Sequence, residues 1–179
     1  MTYLHLSLRL SLAGVFLVSG LAKARAIDGA VLMCKSLFGT FWPARKNWAG
    51  PAARALVVTE VATGLALVVP GSDATTALGL LAAIGLLMGF TALAVVTSRR
   101  QLALVCACFG RAGAPLGRRH VWRNLALLAI GASALFLLPE AGSGTWDTGG
   151  TGVAVTAAAV VTLLTFYYDE IADLLSGNW

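Results

Sequence analysis

Two cysteines separated by one residue form the most reactive group that the sequence offers. Cys106 and Cys108 lie in the run CACFG, close to Arg99, Arg100 and Arg111. A disulfide between them would close a very small ring, and the resulting strain would make the bond easy to reduce. Neighbouring guanidinium groups favour the thiolate form of cysteine. The spacing therefore suggests thiol–disulfide exchange, beside the plainer interpretation that both cysteines are small buried hydrophobic residues.

A carboxylate inside an apolar run is the second candidate group. Glu60 follows Arg54 by six residues, which places it roughly 9 Å into a helix from the basic side. An isolated carboxylate at that depth is costly, so we expect Glu60 to pair with a cation of similar depth. Lys23, Arg54 and Arg123 are the candidates. Such a pair would serve either as a structural link between helices or in proton handling.

Other polar residues are assigned simpler roles. Arg9 precedes Lys23 by fourteen residues, about 21 Å along a helix, so we expect it to extend toward the opposite surface beside His5. Asn124 lies just inside an apolar run and needs a hydrogen-bond partner, such as a neighbouring backbone group. No Cys/His spacing resembles a zinc site, so no metal is predicted.

The composition indicates an integral membrane protein. Hydrophobic residues make up 58% of the 179 residues and charged residues 12%, with a mean hydropathy of +0.82. These values are too apolar for a soluble domain. We therefore predict one all-α domain over residues 1–179, a polytopic bundle in the lipid bilayer. Its five transmembrane helices are expected at about 4–22, 52–69, 74–97, 121–138 and 151–168.

An amphipathic helix is predicted at about 27–42, after the first transmembrane helix. Apolar residues recur there at helical spacing, and Trp42 and Trp48 follow as interfacial anchors. Cys34 lies on the apolar stripe. We expect the helix to fold back under the bundle, which would bring Cys34 near Cys106 or Cys108 and make it a third candidate redox residue.

The third transmembrane helix is rich in small residues. Gly85 and Gly89 stand at GxxxG spacing, and small residues allow helix backbones to approach closely in lipid. We therefore expect this helix at the centre of the bundle.

The basic residues predict an orientation. Twelve of the thirteen lysines and arginines lie between the first and second or around the third and fourth transmembrane helices. Such residues mark the cytoplasmic side of a membrane. In a cell membrane, the N-terminus should then lie outside, and the cysteine loop and C-terminus in the cytoplasm. This arrangement explains the net charge of +5 better than nucleic-acid binding does.

Four separated motifs together resemble the MauE family and, more widely, the DoxX-like membrane proteins. They are FLVSGLAKA at 16–24, ExxxG at 60–64, CACFG at 106–110 and WRNLALL at 122–128. The resemblance implies a membrane factor that helps mature the disulfide-rich small subunit of methylamine dehydrogenase with a thioredoxin-like partner. It also implies a redox role for Cys106 and Cys108, whereas Cys34 is not part of the family pattern.

Three functions therefore remain in competition. The first is a thiol–disulfide redox or maturation factor that passes electrons between a thioredoxin-like protein and a second acceptor. The second is a DoxX-like subunit of a quinone-linked oxidoreductase, for which a quinone is the implied cofactor. The third is a non-catalytic assembly subunit that uses Gly85, Gly89 and the amphipathic helix as contact surfaces.

Overall fold

The computed structural model describes residues 2–69, 71–100, 118–138, 147–168, 170–171 and 174, except for the Arg118 side chain. This part of the chain contains helices and no strand, which confirms the all-α prediction. The helices are α1 (Thr2–Arg25), α2 (Ile27–Phe41), a 3-10 helix (Pro43–Trp48), α3 (Ala49–Val68), α4 (Asp73–Arg99), α5 (Arg118–Phe136) and α6 (Thr148–Phe166).

Within the described part of the chain, four segments are long and apolar enough to cross a membrane: α1, the 3-10 helix together with α3, α4, and α6. The fifth predicted span is present as α5, which begins at Arg118. Its first turns contain Arg119, His120, Arg123 and Asn124, and these residues reduce its hydropathy. The predicted polytopic helical bundle is confirmed, and the membrane-spanning role of α5 stays a prediction.

Helix α1 occupies the centre of the bundle and packs most extensively against α3 and α6. Its inner face carries Leu12 and Phe16, both buried. These side chains pack in one apolar cluster with residues of three other helices, namely Leu67 of α3, Leu80, Ala83 and Leu87 of α4, and Leu127 and Ala134 of α5. The central helix is therefore the first, and not the glycine-rich α4.

The prediction that Gly85 and Gly89 place their helix at the centre of the bundle was wrong. Both glycines are exposed, and a side chain built on either would meet nothing within 4 Å. Helix α4 reaches the core with a different face, which carries Gly79, Leu80 and Ala83. The GxxxG pattern failed here because glycine spacing does not show which face of a helix meets its neighbours.

Close backbone approach occurs instead between α1 and α3. A Cβ atom at Gly20 would lie 2.8 Å from Val61 Cγ2 and 3.3 Å from the Val61 backbone nitrogen. At Gly64 it would lie 2.7 Å from Leu17 Cγ. Because these contacts pair a later residue of α1 with an earlier residue of α3, the two helices are antiparallel. Gly20 and Gly64 therefore allow the two helices to approach closely.

We expect Gly20→Leu or Gly64→Leu to destabilise the protein, whereas Gly85→Leu and Gly89→Leu should be tolerated. Filling a close-packed interface typically costs about 1–3 kcal/mol, and a leucine on an open lipid-facing surface costs little. Thermal unfolding of the purified protein in detergent measures the difference. Equal losses at all four positions would contradict the assigned helix faces.

Helix α2 folds back under the bundle, as the amphipathic pattern predicted. Its residues Ala30, Met33 and Cys34 are buried in a second apolar cluster with Ala49 and Ala53 of α3 and Ala94 of α4. Trp42 and Trp48, which follow the helix, are 60% and 65% exposed. One face of α2 is thus fixed to the bundle, and the aromatic side chains after it remain available to lipid.

The helix directions collect the basic residues at one end of the molecule. Helix α6 runs parallel to α1, because the Asp147 N–H donates to the Tyr3 hydroxyl near their first turns, and Thr162 lies beside Ser11 further along. Helix α3 runs against α1, and Gly79 of α4 lies beside Leu67 of α3 across the turn that joins them. The end of α1, the start of α3 and the end of α4 therefore share one end, here called the basic end.

Candidate functional site

A buried ion pair joins α1 to α3. The Lys23 ammonium donates hydrogen bonds to both Glu60 oxygens, at 2.6 Å and 2.7 Å. The two side chains are 2% and 0% exposed. Helical depth therefore predicted the correct kind of partner for Glu60. A carboxylate so deeply enclosed would be very costly to bury without this cation.

Ser19 completes the coordination of the pair. It precedes Lys23 by one helical turn, so its hydroxyl lies on the same face of α1. The hydroxyl accepts a hydrogen bond from the Lys23 ammonium at 2.8 Å and donates to Glu60 Oε2 at 3.4 Å. All three N–H bonds of the ammonium group are thereby used. The Phe90 ring of α4 closes the site, with its centroid 5.1 Å from Lys23 Nζ.

Two of the four family-like motifs meet at this site. Ser19, Gly20 and Lys23 belong to FLVSGLAKA, while Glu60 and Gly64 form ExxxG. The glycines allow α1 and α3 to approach closely, and at this distance the polar side chains of the two helices form hydrogen bonds. Sequence reasoning missed Ser19 and Phe90. The position of Ser19 four residues before a buried lysine was the available signal, whereas the contact of Phe90 depends on how α4 packs.

The other predicted cations differ in their surroundings. Arg54 is exposed on α3, so it does not provide the buried partner of Glu60. Arg123 of α5 is buried and lies within electrostatic range of Lys23. Asn124 is buried beside Arg123 in the sequence. Two of the predicted cations, Lys23 and Arg123, therefore lie in the same buried region.

The chemistry of the pair follows from its enclosure. A proton can move between Lys23 and Glu60 without changing their net charge, since the ion pair and the neutral acid–amine pair both sum to zero. Gain or loss of a proton from outside would leave an uncompensated charge in an apolar environment, which is costly. The arrangement is therefore suited either to rigid helix linkage or to proton exchange coupled to a compensating change nearby.

A second polar group lies at the opposite end of α1. His5 is buried, and its Nε2 atom, like Arg9 Nε, has no hydrogen-bond partner among the residues that the structure describes. Asp73 is within electrostatic range of His5. Arg9 lies one turn from His5 as expected, but it is only partly exposed. The expected extension of Arg9 toward the membrane surface stays a prediction.

Cys34 occupies an apolar environment. It packs among Ala30, Met33, Ala49 and Ala53, and burial raises the pKa of its thiol. A raised pKa reduces the thiolate fraction, whereas a reactive cysteine needs more thiolate. The redox role assigned to Cys34 stays a prediction, and the surroundings of Cys34 are those of a packing residue.

Cys106 and Cys108 lie outside the described residues. The segment that contains them joins α4, which ends at Arg99, to α5, which begins at Arg118. The end of α4 belongs to the basic end of the molecule. The proposed redox pair is therefore connected to the bundle at the same end as Lys23, and its predicted proximity to Cys34 stays a prediction.

Comparisons with known proteins give one match. The family model described as "Methylamine utilisation protein MauE" matches residues 1–138. These residues include α1 to α5 as well as the segment with Cys106 and Cys108, while α6 follows the matched region. No curated protein and no solved structure matches the chain.

Proposed function

Because this chain belongs to the MauE family, we propose that it is a membrane component of methylamine-utilisation-type protein maturation that performs thiol–disulfide exchange. The observation that carries the proposal is that the family match spans both Cys106 and Cys108 as well as the Lys23–Glu60 pair. The close spacing of Cys106 and Cys108 would make a disulfide between them easy to reduce, and the arginines near them in the sequence favour the thiolate form. The segment that contains this pair connects α4 to α5 in the sequence.

The exchange proceeds in two steps. A thiolate of one cysteine attacks the disulfide of a thioredoxin-like protein, which forms a mixed disulfide and releases one partner thiolate. The thiolate of the second cysteine then attacks the mixed disulfide, which leaves a Cys106–Cys108 disulfide and a fully reduced partner. Run in reverse, the same steps oxidise the partner. A second acceptor, such as a quinone, would take two electrons and two protons when it reoxidises the dithiol.

For the Lys23–Glu60 pair we propose proton handling at the same end of the bundle. Oxidation of two thiols releases two protons, and a buried acid–base pair near the basic end could exchange a proton when the charge nearby changes. The polar coordination by Ser19 and the adjacent buried Arg123 support this role. A purely structural role makes a different prediction. In that case, replacing Lys23 and Glu60 with a well-packed apolar pair should preserve both stability and activity.

The exchange predicts a trapped intermediate. In a Cys34→Ser background, one of the two variants Cys106→Ser and Cys108→Ser should accumulate a mixed disulfide with a thioredoxin-like protein, because that variant keeps the attacking thiol and lacks the resolving thiol. Cells are quenched with a thiol-alkylating reagent, and the tagged protein is run on a non-reducing gel. We expect a larger band that disappears on reduction and contains the partner by mass spectrometry.

The matched control is Cys106→Ser/Cys108→Ser in the same background, which contains no cysteine and should give no such band. A band of equal intensity in this control would show that the complex does not depend on the two cysteines. Absence of the band from both single variants, with normal membrane insertion, would contradict the two-step exchange.

An assembly function is the second candidate, and one observation favours it. The face of α4 with Gly85 and Gly89 is exposed, with open space beside both glycines. Such a face could accept a helix of another membrane protein. This function needs no thiol chemistry, so it predicts full activity without Cys106 and Cys108.

A further inference from the structure

A polar pocket lies between α2, the 3-10 helix and the start of α3. Its volume is about 750 Å³, and it is lined by Val31, Lys35, Lys46, Asn47 and Gly50. This pocket is separate from the Lys23–Glu60 site, which is enclosed between α1 and α3. It is also independent of the proposed thiol chemistry.

The charged side chains that line the pocket are all cationic. Lys35 and Lys46 contribute two ammonium groups, and Asn47 contributes an amide with two N–H donors. No acidic side chain lines the pocket, and the structure shows no salt bridge of either lysine to a described residue. The nearest acid along α2 is Asp28, two turns before Lys35. A ligand with several acceptor oxygens and a negative charge would complement this set of donors.

The position of the pocket restricts the source of that ligand. Helix α2 is fixed to the bundle through Ala30, Met33 and Cys34, so Lys35 projects from the other side of the helix. Trp42, just before the 3-10 helix, and Trp48, its last residue, are largely exposed. Exposed tryptophans and lysines in this combination mark the headgroup level of a membrane, where lipid phosphates lie. Val31 supplies an apolar wall beside the two charges.

We infer that this pocket binds the phosphate group of an anionic phospholipid, with Lys35 and Lys46 on the phosphate oxygens and Asn47 as an additional donor. The long aliphatic stems of both lysines can lie along the lipid while their charged ends reach the phosphate. The lipid would link α2 to the start of α3 at the basic end of the bundle.

Titration of delipidated protein in detergent tests the inference. Native mass spectrometry measures the apparent Kd for phosphatidylglycerol and for phosphatidylcholine with the same acyl chains. We expect Lys35→Gln/Lys46→Gln to weaken phosphatidylglycerol binding about twenty-five-fold, since each lysine near a membrane surface contributes about fivefold in affinity. Binding of phosphatidylcholine should be weaker and should change little in the variant.

The matched control is Arg25→Gln/Arg45→Gln, which removes the same charge from exposed positions at the same end without touching the pocket lining. An equal loss in this control would overturn the pocket in favour of general surface charge. Release of the lipid by millimolar inorganic phosphate would overturn the lipid assignment and indicate a soluble phosphate ligand. Equal affinity for the two lipids would overturn the inference as well. Gel filtration of each variant checks that the protein remains folded.

Discussion

Glu60→Ala should destabilise the protein by about 3–5 kcal/mol, which is the cost of leaving one member of a buried ion pair without its partner. The Lys23 ammonium would lose both carboxylate contacts and keep, among the described residues, the Ser19 hydroxyl as an acceptor. Lys23→Ala should cost a similar amount, because it leaves the Glu60 carboxylate enclosed without a cation. Thermal unfolding in detergent measures both losses, and Arg54→Ala on the exposed surface of α3 is the control, with an expected change within about 0.5 kcal/mol.

The double variant Lys23→Met/Glu60→Leu separates the two roles of the pair. Replacing a buried ion pair by apolar residues of similar volume is often neutral or stabilising, so this variant should regain most of the stability that either single variant loses. If it also supports maturation at the normal rate, the pair is a structural link. Recovery of stability without activity would support proton handling.

Intact stability in both single variants would contradict the buried pair itself. Measurement of the single variants Lys23→Met and Glu60→Leu beside the double variant also gives the coupling free energy between Lys23 and Glu60, since each substitution removes the same contact. A coupling near zero would mean that the two side chains are not in contact in the folded protein.

Sequence reasoning located this pair because depth in a helix can be counted. Glu60 follows Arg54 by six residues, so it lies below the membrane surface. Because burying a lone carboxylate is costly, a nearby cation was expected. The count could not choose between Lys23 and Arg54, because the choice depends on the rotation of each helix about its axis. The structure resolves it: Lys23 faces α3, and Arg54 faces outward.

Helix rotation also explains the error at α4. Gly85 and Gly89 have the spacing of an interface, but their face is exposed, while Gly20 and Gly64 make the close contacts between α1 and α3. The amphipathic α2 was easier to predict, because a single helix carries both its apolar stripe and its polar side. Predicting which faces of two helices meet requires the rotation of each helix about its axis. The sequence of one helix alone does not give that rotation.

Loss of either cysteine of the pair should have the largest effect on function. If the proposed function is correct, Cys106→Ser and Cys108→Ser should each abolish maturation of the disulfide-rich proteins on which the exchange acts, because one thiol is needed to form the mixed disulfide and the other to resolve it. Serine is close to cysteine in size, so membrane insertion and stability should remain normal. The measurement uses the source organism with its own copy of the gene deleted. Each variant is then expressed in this strain. The fraction of reduced cysteines in exported disulfide-rich proteins is then quantified by differential alkylation and mass spectrometry.

Cys34→Ser is the matched control within the same chain. Its thiol is buried among apolar side chains and has a raised pKa, so its loss should change maturation far less than loss of Cys106 or Cys108. The contrast therefore tests whether the two closely spaced thiols differ from an ordinary buried cysteine. If both Cys106→Ser and Cys108→Ser matured these disulfide-rich proteins as well as the wild type, thiol exchange would be excluded as the function. The assembly function would then be favoured, because contact between another helix and the exposed α4 face with Gly85 and Gly89 would need no thiol.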